Sequence, residues 1–511
     1  MSSTTYILAI DQGTTMTTAL LLAMSHGPSI QIVAKSSVGF PQYYPQSDWV
    51  EHDLTEVWNS VAIACQQTLQ AAKEKQGDFP IASIGITNQR ETLCIYDRTS
   101  LRPLRRSIVW QCKRSHAICE QLKQEGHGET VRQKTGLLCD PYFTASKLRW
   151  AQEDAPEIRT QLEKGTAIVG TVDTFLLSKL TGGAVHATEP SNASRTLWMN
   201  IHTGKWDEEL LQIFSVPNCK ILPEIRPSAG IFGYTSHVGF LPDGIPISGI
   251  LGDQQAALAG QACFATGQAK CTYGTGAFLL RNTGHTPIES QHGLLTTVAW
   301  QTPGAPLTYA LEGASFIAGA AVQFIRDGMG WIDIAQETET AASQASAAPD
   351  IYFVPALSGL GAPWWVPNAK GALLGLTRST SRNQLIRATL EGICFQICDL
   401  IAAMEQDVGQ KMQALCVDGG ATENAHLLQI QANFAGIPVE RPQNLDTTAL
   451  GAALFAALGL GIFASLEEMR TIRALDRTFY PQQDEPFLQL RGQQLGGWKR
   501  AVQASIRFTQ D

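Results

Sequence analysis

Two stretches about half a chain apart share one order of residues. Tyr6-Ile7-Leu8-Ala9-Ile10-Asp11-Gln12-Gly13-Thr14-Thr15 and Ala269-Lys270-Cys271-Thr272-Tyr273-Gly274-Thr275-Gly276-Ala277-Phe278 each run from an apolar strand into a Gly/Thr turn. A second apolar stretch follows each turn, Ala19 to Leu22 in one case and Phe278 to Leu280 in the other. The pattern predicts a β-hairpin with a polar tip. Glycines in a tip let backbone approach a phosphate, and threonine hydroxyls and turn N–H groups donate to it. Asp11, late in the first strand, is placed to hold a metal ion or its waters. A single Gly/Thr turn is an ordinary loop. Two of them, one per half, suit a grip on a nucleotide's phosphates.

At 511 residues the chain exceeds the size at which one core stops growing, so two domains are expected. The boundary is placed near Gly260 to Gly267, giving units 1–262 and 263–511. A charged fraction of 16% against 44% hydrophobic residues fits an ordinary globular protein. The net charge of −8, with no Lys/Arg tract to offset it, argues against nucleic acid or an anionic membrane and favours a small soluble substrate. The eleven cysteines are scattered without a Cys-x-x-Cys pair, which points to reduced thiols in a cytoplasm rather than disulfides or zinc. Cys394 and Cys398 share a helix face and read as packing residues. Met1 leads through a few Ser/Thr residues into a strand, so no export is expected. The most apolar run, Ala449 to Ala464, is too short and too rich in glycine for a membrane span, and reads as a buried helix.

Periodicity predicts a helix over Leu54 to Lys75, strands over Ile81 to Thr87 and Thr92 to Tyr96, and a helix over Ala145 to Glu153, hence an α/β layer architecture. Gly126 to Gly136 reads as a polar break, and Leu180 to Thr203 as an insertion of turns and short strands. The run Ile247 to Asp253 reads as a strand ending at an acid. In the second half, helices are expected over Tyr309 to Arg326 and Ser381 to Met404, and strands over Ile351 to Pro355 and Leu415 to Val417. Thr338 to Pro349 reads as a frayed helix end and loop.

No Walker-type phosphate loop and no protein-kinase motif set occurs, so a nucleotide site here needs another design. The hairpin pair supplies one. Asp418-Gly419-Gly420-Ala421 follows a strand and precedes a helix from Asn424, where its glycines could admit an adenosine face or a phosphate, although taken alone these residues read first as a bare left-handed turn. Arg90-Glu91, Trp110 and Asp253-Gln254 each fall at the end of an apolar strand-like run, the place where α/β sheets bind ligands. An Arg donor with Glu and Asp acceptors matches a polyol's hydroxyls, and Trp110 or Phe278 would cover its carbons. Singly, the same residues also read as a surface ion pair, core aromatics, including Tyr142, and a helix cap.

Taken together, these residues resemble the FGGY family of carbohydrate kinases, within the actin-like ATPase superfamily, from about Tyr6 to beyond Trp498. Family-wide wording appears in Tyr142-x-Thr144-x-x-Lys147-Leu148-x-Trp150, in Gly371 to Leu376 and in Leu385 to Glu391. Wording of the glycerol-phosphorylating members appears in Thr87-Asn88-Gln89-Arg90-Glu91-Thr92, Ile108 to Cys112, Asn192-Ala193-Ser194-Arg195-Thr196 and Gly252 to Ala257. The resemblance implies two actin-like, ribonuclease H-like α/β domains flanking a central cleft. It also implies ATP-dependent phosphorylation of glycerol with magnesium, and a homo-oligomer. Arg90, Glu91, Tyr142 and Asp253 would bond glycerol, with Gln254 beside them and Trp110 and Phe278 as an apolar wall. Asp253 would be the general base and Asp11 would organise magnesium. Thr14, Thr15 and Met16 would form the first phosphate turn and Thr275 the second, with Gly319, Gln323, Gly420 and Asn424 completing the nucleotide contacts. A kinase of another small polyol or ketose, and a non-catalytic actin-like protein, are the alternatives.

Three positions depart from the family wording. The first turn continues Met16-Thr17-Thr18 where the family commonly has Ser-Ser-Arg, so a phosphate-facing cation is missing and weaker ATP binding is expected. The loop Gly239 to Gly244 carries Asp243 and no cation, so inhibition by a sugar bisphosphate is not expected. Pro363-Trp364-Trp365 keeps the aromatic bulk of the commoner Pro-Tyr-Trp.

Overall fold

The computed structural model describes residues 4–24, 30–345 and 350–509. The first half builds a six-stranded sheet. Thr5–Gln12 (β1), Met16–Met24 (β2) and Ile30–Gly39 (β3) form an antiparallel meander, with Asp11 opposite Thr18 and Thr18 opposite Ser37. Leu54–Gln76 (α1) then crosses over so that Ile81–Asn88 (β4) can lie parallel to β1. Ala229–Tyr234 (β5) and Pro246–Gly252 (β6) complete the order β5-β6-β4-β1-β2-β3, with β6 parallel to β4. Between β4 and β5 lie His127–Thr135 (α2) and Thr144–Asp154 (α3), and β6 runs directly into Asp253–Gly260 (α4).

The second half repeats this plan. Ala269–Tyr273 (β7) and Ala277–Gly284 (β8) form the second hairpin, and Thr308–Ser315 (β10) then Leu295–Trp300 (β9) extend the sheet antiparallel beyond β8. Gly319–Gln323 (α5) and the long Arg382–Val408 (α6) lead to Leu415–Asp418 (β11), which lies parallel to β7 as β4 lies parallel to β1. Ala425–Ala435 (α7) leads to Val439–Pro442 (β12), parallel to β11, and Thr447–Gly459 (α8) leads to the edge strand Leu475–Phe479 (β13). The order is β9-β10-β8-β7-β11-β12-β13. A final helix spans Glu485–Arg507 (α9).

Strand β1 is buried on both faces, which is why it reads as a continuous apolar run rather than an alternation. Leu8 and Ile10 enter the core beneath α1 with Val61 and Ala64, whereas Ile7 and Ala9 enter a second core with Ala449, Leu450 and Ala453 of α8. Helix α8 thus belongs to the second half by sequence and rests on the first sheet. It comes so close because glycine replaces side chains at the contact. A Cβ at Gly451 would collide with the Ala256 carbonyl of α4, and one at Gly260 with the Thr447 carbonyl of α8. Helices α4 and α8 therefore cross backbone to backbone between the two sheets, behind the two hairpin tips.

The α/β architecture and most expected elements are present. Two differ. Gly126 to Gly136 is a helix, α2, flanked by two left-handed glycines (φ 88° and 71°) that end it rather than break it. Its polarity reflects a helix burying only Val131 and Thr135. Tyr309 to Ser315, expected as helix, is β10. Every residue of β10 is buried, so no strand alternation is visible, and the helical part of that segment is confined to the short α5 and the turn after it. Of Thr338 to Pro349, expected as a helix end and loop, the helical part is Glu337–Gln344, and residues 346–349 lie outside the described residues. Ala449 to Ala464 begins as the buried helix α8, and among the described residues no helix is long and apolar enough to cross a membrane.

Candidate active site

Parallel strands leave their carboxyl ends in register, and here those ends carry the polar residues. Strand β4 delivers Arg90 and Glu91 and β6 delivers Asp253 at the first residue of α4, while Glu312 comes from within the antiparallel strand β10 of the other half of the sequence. Arg195, in the turn after Asn192 and Ala193, joins them. The four charges interlock. Arg90 donates from Nη1 to Glu312 Oε2 (2.5 Å) and from Nη2 to Glu312 Oε1 (3.2 Å). Arg195 donates from Nη2 to Glu312 Oε1 (2.9 Å) and from Nε to Glu91 Oε1 (2.6 Å). Their side chains are 0–2% exposed.

Burying charge is tolerable only when each group is paired and hydrogen-bonded. Two cations and two anions meet that condition. The carboxylates are not equivalent. Burial raises both, but Glu312 faces both guanidinium groups and is held down to about 2. Glu91 has a close bond to Arg195 alone, with Arg90 Nε 3.9 Å away, and burial keeps its carboxyl above the ordinary value. Glu91 also has φ 60°, uncommon for a residue with a side chain. Thr144 Oγ1 donates to its carbonyl (3.0 Å) and helps to hold that conformation. The surface-ion-pair reading of Arg90-Glu91 is thereby overturned, because both side chains are 2% exposed.

Asp253 is the member left partly open, with its side chain 27% exposed and Oδ1 3.1 Å from Arg90 Nε. Its Oδ1 also accepts the Gln254 N–H (2.7 Å), so the cap-like bond exists beside the cleft-facing role. The oxygen of Gln254 is taken by the buried Lys270 of β7 (2.5 Å), which also donates to Thr272 Oγ1 (2.8 Å). Trp110 contacts both Tyr142 and Phe278 edge to face, with centroids 5.6 and 6.4 Å apart. These three are partly buried and form one aromatic wall rather than separate core residues. Lys147 fixes the Tyr142 turn. Its ammonium donates to the carbonyls of Pro141 (2.7 Å), Tyr142 (2.6 Å) and Phe143 (2.9 Å), and burial pushes its pKa down to about 8.

The phosphate turns are looser. Gly13 N–H closes the first by bonding the Met16 carbonyl (2.9 Å), which leaves Thr15 and Met16 exposed at the tip. Thr14 Oγ1 accepts Trp110 Nε1–H (3.0 Å), tying the first turn to the aromatic wall. Gln89 Nε2 donates to the Gly13 carbonyl (3.0 Å) and so ties the same turn to the Arg90 segment. In the second turn Gly274 N–H bonds the Gly276 carbonyl (2.9 Å) and Thr275 is exposed. Gly319 opens α5 against this turn, its N–H bonded to the Gly274 carbonyl (2.9 Å), where a Cβ would not fit. Gln323 ends α5 and is exposed. Gly419 has φ 90° with its Cα against the Tyr273 carbonyl, whereas Gly420 faces open space. Asn424 is otherwise engaged. Its oxygen caps α7 through Leu427 N–H (2.9 Å) and its amide donates to Thr338 Oγ1 (3.1 Å).

Asp11 lies at the centre of an acidic group. Burial, then the charges of Asp253 and Asp446, push its carboxyl up to about 7, and Lys35 opposes them. Such an acid gains from a cation brought close to it. No cluster of three or more metal-binding side chains occurs among the described residues. The arrangement fits a magnesium ion carried mainly by phosphate oxygens and met by one protein carboxylate.

Arg195 and Glu312 were not singled out as site residues from sequence. Arg195 stood within the Asn192 to Thr196 wording without a role, and Glu312 lay in a stretch read as helix.

Residues 6–260 match the N-terminal domain, and residues 269–460 the C-terminal domain, of the FGGY family of carbohydrate kinases. A glycerol kinase from Myxococcus xanthus is 48% identical over 504 residues, 98% of this chain and 100% of that protein. One from Bdellovibrio bacteriovorus is 46% identical over 503 residues, with the same coverage. The crystal structure of Plasmodium falciparum glycerol kinase with ADP superposes with a TM-score of 0.91 at 35% identity, covering 99% of both chains.

Proposed function

Because the chain belongs to the FGGY family of carbohydrate kinases, we propose that it transfers the γ-phosphoryl group of ATP to glycerol, giving sn-glycerol 3-phosphate, with Asp253 as general base. The observation that carries this reading is the partly open Asp253 carboxylate set against a buried Arg90–Glu91–Arg195–Glu312 network and beside an aromatic wall. The full-length likeness to glycerol kinases of 46–48% identity supports it.

Phosphoryl transfer needs alignment, charge neutralisation and an acceptor for the hydroxyl proton. Arg90 donates to glycerol oxygens and Glu91 accepts from them, each held in one orientation by partners that leave little room to turn. Trp110, Tyr142 and Phe278 cover the carbon chain. Asp253 takes the proton of the attacking hydroxyl, and Arg90 orients its carboxylate. The two turns offer N–H and hydroxyl donors to the phosphates, and Asp11 is the residue that would hold magnesium. Magnesium, when bound, neutralises charge on the transferred group. Closure of the halves excludes water that would otherwise be phosphorylated, so ATP hydrolysis without polyol is slow. The test is a coupled assay of ADP release over a panel of small polyols and ketoses. Glycerol should give the highest kcat/KM, and a pentulose or hexonate outperforming it would overturn the substrate assignment.

A further inference from the structure

Thr18 stands opposite Asp11 and opposite Ser37, and its hydroxyl is spent on Ser37 Oγ at 2.8 Å. The first turn therefore has no cation of its own on β2. Strand alternation puts residues two apart on the same face. Lys35, two residues from Ser37 on β3, therefore faces the same side as Thr18 and Asp11. Its ammonium does not run into bulk solvent but reaches across to Asp446, with Nζ 2.5 Å from Oδ1. Asp446 immediately precedes α8, yet makes no side-chain cap to that helix. Both side chains remain accessible, at 42% and 31%.

The other cations described around the cleft are committed. Arg90 and Arg195 are locked to Glu312, and Lys270 is buried and bonded to Gln254 and Thr272. The acids there, Asp11, Asp253 and Asp446, outnumber any free positive charge, which is unfavourable for a polyanionic ligand. Resting on the nucleotide kinase reading above, we propose that Lys35 supplies from the neighbouring strand the positive charge that the first phosphate turn lacks at Thr18, with Asp446 holding its ammonium until the triphosphate displaces it. The cation is relocated rather than lost, and the weakening expected from Thr18 alone is offset.

An exposed ion pair contributes little to stability. A purely structural pair would accordingly show equal and small effects on removing either partner. Ligand exchange predicts unequal effects, a loss on removing Lys35 and none on removing Asp446. The experiment measures equilibrium binding of magnesium-ATP, ADP and adenosine by calorimetry without glycerol, together with steady-state KM for both substrates. Lys35→Met should weaken ATP binding about tenfold, ADP less and adenosine not at all, with the glycerol KM within twofold. Lys35→Arg should retain wild-type affinity. Asp446→Asn should leave ATP affinity unchanged or raise it, and Thr18→Arg in the Lys35→Met background should restore it. Unchanged ATP affinity in Lys35→Met, equal loss for adenosine, or equal weakening by Asp446→Asn would overturn the proposal while leaving the kinase reading intact. Absence of glycerol-dependent ADP release in the wild type would instead remove the reading on which it rests.

Discussion

The side proposed to hold the alcohol and the side proposed to hold the phosphates keep their polar groups in different ways. On the alcohol side, Arg90, Glu91, Arg195 and Glu312 are almost wholly buried and each is bonded to another member of the set. On the phosphate side, Thr15, Met16, Thr275 and Gly420 are exposed and little holds them beyond a few turn hydrogen bonds. The difference matches what each side must do. A small neutral alcohol offers few contacts and must be aligned by groups that cannot turn. A triphosphate carries its own charge and metal and can draw two open turns around itself. Preorganisation is concentrated on the side where the ligand supplies least.

The contrast can be broken first at the group that bridges the sides. Asp253→Asn keeps size and bonding but cannot accept a proton, and kcat should fall about a thousandfold. ATP affinity, measured by calorimetry, should stay within twofold, because the phosphate turns are untouched. Turnover close to wild type would remove Asp253 from the role of base.

Next in size is the buried network. Arg195→Met leaves Glu91 and Glu312 short of a partner, and should cost about 3–5 kcal/mol in urea unfolding. The pH dependence has a definite sign. Glu312 has a folded pKa of about 2, below its ordinary 4.5, so its contribution is fully present above pH 4.5 and is lost as pH falls towards 2. The wild type should lose on the order of 3 kcal/mol through that window, and Glu312→Gln should lack this part of the acid dependence.

The helix crossing behind the site comes third. Gly451→Ala places a methyl against the Ala256 carbonyl and should destabilise by about 1–3 kcal/mol, seen as a lower Tm. Smallest is the link between the sides. Trp110→Phe keeps most of the wall and deletes the bond to Thr14, worth about 1 kcal/mol, so the KM for ATP should rise roughly fivefold. A larger effect on ATP than on glycerol would show that the wall also positions the first turn.

Much of this was readable in the chain because local rules and global placement agree. Both hairpins, the β6 strand ending at Asp253, and the helices α1 and α6 follow from turn residues and apolar periodicity within a few residues of each other. Reading failed where a signal depended on distant partners. Strand β10 looks featureless because both of its faces are covered, and that covering comes from other elements. Glu312 bonds residues more than a hundred positions away, Arg90 and Arg195, so nothing near it in sequence marks it. Lys35 is similar. Nothing beside it in sequence marks it, and only the strand register puts it on the face of Asp11 and beside Asp446. The Gly126 and Gly136 pair shows a further limit, since a glycine that ends a helix and one that interrupts it look alike in a string of letters.

The resting place of α8 also bears on how the protein is made. The first sheet is finished by residue 252, yet the helix that covers its second apolar face leaves the ribosome about two hundred residues later. At roughly 5–20 residues per second that is a wait of about ten to forty seconds. During it, Ile7, Ala9, Leu20 and Leu22 lack the cover that α8 gives them. The apolar side of the first sheet is thus completed only by a segment from the far end of the chain, so the two halves share one core and a cut between them would leave that side incomplete.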